Sequence, residues 1–88
     1  MKLDNTILKA IETRDYNFIY SLEEKIKSGE IKINLFNSPI DVETWYDCFL
    51  SFDRDSLYFS IEGKTKSGKY FNIKSSDAIA KHISIFIK

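Results

Sequence analysis

Cys48 and His82 are the single thiol and the single imidazole of this 88-residue chain, so nucleophilic or metal chemistry would have to begin with them. A cysteine–histidine nucleophile needs the two side chains in contact and a third group to orient the ring. Cys48 belongs to an alternating run, Val42, Thr44, Tyr46, Cys48, Leu50 and Phe52. That run predicts an inward-facing Cys48, which then behaves as a small hydrophobe. His82 is expected at the edge of a last helix, and one Cys with one His falls short of a zinc site.

Three further patterns fail on spacing. Gly63-Lys64-Thr65 ends like a phosphate loop, but that loop needs a glycine five positions before its Gly-Lys pair to wrap the phosphates in backbone N–H groups. Tyr58 holds that position, so a turn is expected instead. Asp53-Arg54-Asp55 opens like a calcium loop, which requires an oxygen ligand fifth, a glycine sixth and a glutamate twelfth. Leu57, Tyr58 and Lys64 stand there, so the segment reads as a charged hairpin turn. Asp53 with Asp55, or Asp41 with Glu43, would share a strand face suited to acid–base work, yet nothing marks a cleft and solvated surface is the simpler reading. No catalytic residue, metal or cofactor is expected.

Composition sets the frame for what remains. Thirteen basic and thirteen acidic residues give a formal net charge of zero, and 43% of the chain is hydrophobic and 15% aromatic. This is enough apolar material for a core and too much for a disordered chain. The length suits a single domain spanning 1–88. A lone cysteine allows no internal disulfide framework. With no signal-like or membrane-length apolar run, a cytoplasmic protein is expected.

The elements follow from periodicity and punctuation. Asp4 or Asn5 can cap a first helix with Leu3, Ile7, Leu8 and Ile11 on one face. Asp15 can cap a second, carrying Phe18, Ile19, Leu22 and Ile26, which Gly29 would end. One bent helix and a helix pair both fit. Ile31–Leu35 alternates as a strand that Asn37-Ser38-Pro39 breaks. Residues 40–52 match a helical stripe (Val42, Trp45, Tyr46, Phe49, Leu50) as well as a strand. The turns at Asp53-Arg54-Asp55-Ser56 and Lys66-Ser67-Gly68 favour a meander of 43–52, 56–65 and 69–74. Ser75-Ser76-Asp77 then precedes a last helix with Ile79, Ile83, Phe86 and Ile87 as its stripe, although 83–87 is β-prone. The expected fold is α+β: an N-terminal helix or helix pair, an antiparallel sheet of three to four strands, and a C-terminal helix packed on one face.

The zero net charge hides segregation. Residues 1–37 carry six basic and six acidic groups, residues 38–62 carry net −5, and residues 63–88 carry net +5. Such segregation can orient a chain toward a charged partner, or the two segments can pair with each other across strands. The order of helix, three-stranded meander and helix over residues 16–87 is similar to that of the double-stranded-RNA-binding domain. The likeness implies RNA contact through a histidine-bearing first hairpin and a Lys-Lys-x-Ala-Lys start to the last helix. Here Asp77-Ala78-Ile79-Ala80-Lys81 keeps Ala80-Lys81 alone, and Asp53-Arg54-Asp55 would repel phosphate.

If the even positions of 42–52 point inward, Glu43, Trp45, Asp47 and Phe49 point outward, as does Tyr58 on the next strand. With Asp53 and Asp55 they make an aromatic patch rimmed by acid, a composition suited to anchoring a protein partner. The expected function is a small non-enzymatic inhibitor that occupies a partner's surface, for example an anti-CRISPR-like anti-defence protein or a toxin immunity protein. The partner would be a nucleic-acid-handling enzyme or a toxin. The alternative is a nucleic-acid-binding module using Lys64, Lys66, Lys69 and Lys74.

Overall fold

Asp15 divides the N-terminal helical stretch in two. In the computed structural model, which describes residues 5–85, Arg14 takes a left-handed φ of 53° and stops α1 (Asn5–Thr13). Asp15 Oδ1 then accepts the Phe18 N–H at 3.1 Å and caps α2 (Tyr16–Lys27). The helix pair is therefore the correct alternative. At the far end Gly29, at φ +84°, donates to Ile26 O at 3.2 Å, and Ile31 N donates to Lys25 O at 3.1 Å. A residue with a Cβ would be strained in that left-handed closure. The helices bury Ile7, Ala10 and Ile11 from α1 and Ile19, Leu22 and Ile26 from α2. Leu8, expected on the buried stripe, is 45% exposed, because the stripe is narrow on so short a helix. Leu3 lies outside the described residues.

Two antiparallel three-stranded sheets follow. β1 (Ile33–Leu35) turns through Phe36 and Asn37, both at positive φ, into β2 (Ser38–Pro39). The segment expected only to break the strand thus returns as its partner. The large sheet is the meander β3 (Val42–Asp53), β4 (Ser56–Thr65) and β5 (Tyr70–Lys74), in that spatial order. This resolves the ambiguity over 40–52 in favour of strand.

The expected C-terminal helix is corrected. Only a 3-10 turn forms over Ala78–His82, and β6 (Ile83–Ile85) follows it and pairs with β1. Ile83, Ser84 and Ile85 are all buried, so consecutive side chains find cover on both faces and β-branched isoleucines favour the strand. Ile79, at 38% exposure, belongs to no apolar stripe, and Phe86 and Ile87 lie outside the described residues. Without a last helix, the topological likeness to the double-stranded-RNA-binding domain lapses.

One apolar cluster joins the helices, the small sheet and the inner face of the large sheet. Phe59, Ile61 and Leu50 supply the sheet side, Ile7, Ile19 and Ile26 the helix side, and Ile33, Ile83 and Ile85 the small sheet. Each such fully buried side chain contributes roughly 1.5–3 kcal/mol of transfer free energy.

Candidate functional site

Side chains directly opposite one another in the large sheet share a face, so its register sorts the expected docking residues. The inner face carries the rows Trp45–Gly63–Phe71, Cys48–Ile61–Ile73 and Leu50–Phe59. The outer face carries Thr44–Lys64–Tyr70, Asp47–Glu62–Asn72, Phe49–Ser60–Lys74 and Ser51–Tyr58. Register shifts between Val42 and Thr44 and between Trp45 and Asp47 leave Glu43 and Tyr46 as the extra residues of two bulges. Each bulge moves the alternation on by one position. Trp45 therefore turns inward, half-buried, and meets Phe71 edge-on with ring centroids 5.7 Å apart. The expectation that Trp45 stands on the open face is corrected, and Tyr46, expected inside, is 57% exposed.

Gly63 is what lets the inner row close. A Cβ there would stand 2.5 Å from Thr44 O and 2.9 Å from Phe71 Cζ, closer than such contacts tolerate. The Gly63-Lys64-Thr65 stretch that resembles part of a phosphate loop is thus the end of strand β4, and its glycine serves packing.

The outer face is aromatic, with Asp47 and Glu62 in its central row and Lys64 and Lys74 in the rows on either side. Phe49 is 47% exposed and Tyr70 56% exposed. Phe49 packs edge-on to the half-buried Tyr58 at 5.9 Å, a geometry favoured by ring quadrupoles. Tyr70 Oη donates to Glu62 Oε2 at 2.6 Å, and that bond, stabilising the protonated phenol, holds Tyr70 above its ordinary pKa. Asp47 stands directly across from Glu62. Like charges in that position destabilise a strand pair, and neither carboxylate has an ion-pair partner among the described residues.

The other expected docking residues lie apart from this centre. Asp53 and Asp55 are exposed at the β3–β4 turn, where Arg54 takes φ 54°. From Asp47 to Asp53 is about 20 Å along the strand at ~3.3 Å per residue. Glu43 is exposed at the opposite end of β3. Of the lysines, Lys64 and Lys74 share the outer face on either side of the Asp47–Glu62 row, while Lys66 and Lys69 sit at the β4–β5 turn and line a groove on the other side. They do not form one stripe.

The acidic and basic segments meet in the sheet, where Lys64 and Lys74 flank the Asp47–Glu62 row, without close ion pairing among the described residues. The ion pairs among the described residues are Lys27–Glu24 at 3.4 Å and Lys32–Asp41 at 2.6 Å. Neither joins an acidic group of 38–62 to a lysine of 63–88. Lys32, through its hydrogen bond and its charge, holds the Asp41 carboxyl below its ordinary pKa.

Cys48 and His82 take unrelated neighbours. Cys48 is buried on the inner face, and burial pushes its thiol up to about 12. His82 stacks on Phe36 at 4.3 Å. No cluster of three metal-ligating side chains occurs among the described residues, and no helix there is long and apolar enough to cross a membrane.

Sequence reasoning missed Tyr46, Glu62 and Tyr70. Counting back from the Lys66-Ser67-Gly68 turn sets Tyr70 opposite Lys64 and would have found it. For Tyr46 the available signal was Gly63, since an isolated glycine within a strand pattern marks a bulge or a close backbone approach. Compared with family models, curated proteins and solved structures, the chain matches none.

Proposed function

We propose that this chain is a non-enzymatic protein-binding domain that docks through the outer face of the large sheet onto a basic surface of a partner. The observation that carries the reading is the opposed Asp47–Glu62 pair, set between the exposed rings of Tyr46, Phe49 and Tyr70. An arginine or lysine placed between the carboxylates would relieve their repulsion, and the rings offer it cation–π contact. Rigid aromatics in mutual contact also lose little entropy on binding, which suits them as anchors. Basic surfaces of this kind are what nucleic-acid-handling enzymes present to phosphate. The reading therefore fits a small inhibitor that occupies such a surface, of the anti-CRISPR-like or toxin-immunity class. The acidic tip at Asp53 and Asp55 would then steer approach from the rim.

The test is quantitative affinity capture from candidate host extracts with the wild-type chain, followed by calorimetry on the purified partner. Phe49→Ala and Asp47→Lys should each weaken binding by about 2 kcal/mol, roughly thirtyfold, while Asp47→Lys, which sets opposite charges across the strand pair, keeps or raises the unfolding midpoint. A partner whose affinity is indifferent to both substitutions would remove the outer face from consideration.

A further inference from the structure

The edges of the sheets are treated unequally. On β3, the Leu50 N–H that points away from β4 donates to Glu23 Oε2 of α2 at 2.8 Å. On β2, the exposed edge is occupied by Pro39, which has no N–H to offer. β5 has no such cover at its middle. Thr65 N donates to Lys69 O at 2.8 Å, which fixes the alternation of hydrogen-bonded pairs down the β4–β5 ladder. Ser75 N donating to Phe59 O at 2.9 Å continues the same phase. The N–H and C=O groups of Tyr70, Asn72 and Lys74 therefore point outward. Asp77 takes those of Lys74, its Oδ2 accepting at 2.8 Å and its N–H donating at 2.9 Å. Among the described residues nothing pairs with the outward backbone groups of Tyr70 and Asn72.

Beside that edge runs a groove of about 620 Å³. Leu35, Pro39 and Ile40 line one side of it, and Phe71 and Ile73, the inner-face side chains of β5, line the other. Lys66 and Lys69 stand at its turn end, whereas Lys74 projects from the outer face of β5. Among the described residues the carboxylate lining the groove is Asp41, which Lys32 holds at 2.6 Å and on which the Lys66 charge also acts.

We propose that β5 accepts an extended segment of a partner protein as a fourth strand of the large sheet, its apolar side chains seated in the groove and an acidic end placed at Lys66 and Lys69. Backbone pairing at Tyr70 and Asn72 would give affinity, and apolar side chains at alternate positions followed by carboxylates at the turn end would give specificity. This site is separate from the outer face and stands without it.

An acetylated and amidated Ile-Thr-Val-Thr-Ile-Glu-Glu peptide, whose acidic end an antiparallel alignment brings to the β4–β5 turn, is the probe, titrated into the full chain and followed by backbone amide NMR and hydrogen exchange. Saturable shifts and slowed exchange at Tyr70 and Asn72 are expected. Asn72→Pro removes the outward N–H while sparing the ladder to β4, and should weaken the peptide at least about tenfold. Lys66→Glu combined with Lys69→Glu, both at the surface, should do the same and covers the case in which Asn72→Pro fails to fold. Asp47→Lys should leave peptide binding intact, which separates this site from the outer face. The proposal is overturned by an absence of shifts, by shifts confined to Tyr46 and Phe49, or by equal binding of a peptide N-methylated at alternate amides. A self-dimer in sedimentation that Asn72→Pro dissolves would overturn it too, since a second copy would then be the occupant.

Discussion

Replacing Glu23 by alanine should cost about 2 kcal/mol of stability. The carboxylate of Glu23 reaches from α2 to the Leu50 N–H at 2.8 Å, and Leu50 itself is 2% exposed. Truncation removes a hydrogen bond to a charged acceptor, worth roughly 1.5–3 kcal/mol, and leaves a donor in surroundings that water reaches poorly. In a domain of this size each kcal/mol shifts the thermal midpoint by roughly 4–8 °C, so a fall of about 8–16 °C is expected. Glu23→Gln keeps an acceptor and loses only the charge, so about half of that loss should be recovered. Urea denaturation of the two variants beside the wild type gives the free energies, and hydrogen exchange at the Leu50 amide reports the bond directly. An alanine variant within about 0.5 kcal/mol of wild type, the spread of ordinary surface changes, would refute the reasoning. So would a glutamine variant as unstable as the alanine one, because the effect would then be charge alone.

Two further outcomes follow from the packing. Gly63→Ala places a Cβ 2.5 Å from the backbone oxygen of Thr44 and 2.9 Å from Phe71 Cζ. It should destabilise the fold by roughly 1–3 kcal/mol and change the near-ultraviolet signal of Trp45, which packs edge-on to Phe71; a wild-type melting curve and spectrum would contradict the close approach. For Cys48, burial raises the folded-state thiol pKa from 9.0 to about 12. Its contribution is present in full below the ordinary thiol pKa and is lost as pH rises from about 9 toward about 12. The unfolding midpoint should fall across that window less steeply in Cys48→Ala, and alkylation of the native thiol should be slow until the chain unfolds; fast native alkylation would count against the burial.

Local chemistry made much of the fold legible. Asp15, Gly29 and the turn residues at 53–56 and 66–68 act over three or four positions, so helix ends and hairpins could be read without knowing what packs where. The same locality disposed of phosphate-loop and calcium-loop chemistry, because those sites need fixed spacing along the chain. The candidate docking face was legible in part. Phe49, Tyr58 and Asp47 share the outer face as simple alternation requires.

Trp45 and Tyr46 exchanged faces because the bulge at Tyr46, beside the Trp45–Gly63–Phe71 row, resets the alternation, and a bulge is fixed by the partner strand. The segment Ile83–Ile85 was decided the same way. Ile83–Ile85 carries apolar residues that suit a helix stripe or a buried strand, and the choice fell to β1, whose backbone groups offered pairing. Sequence alone also placed net −5 and net +5 in consecutive segments. Only the tertiary structure showed that no ion pair joins them among the described residues, with Asp47 and Glu62 facing each other on one face and Lys66 and Lys69 beside a groove. Charge is a property of composition, whereas pairing depends on which side chains the folded backbone brings within reach.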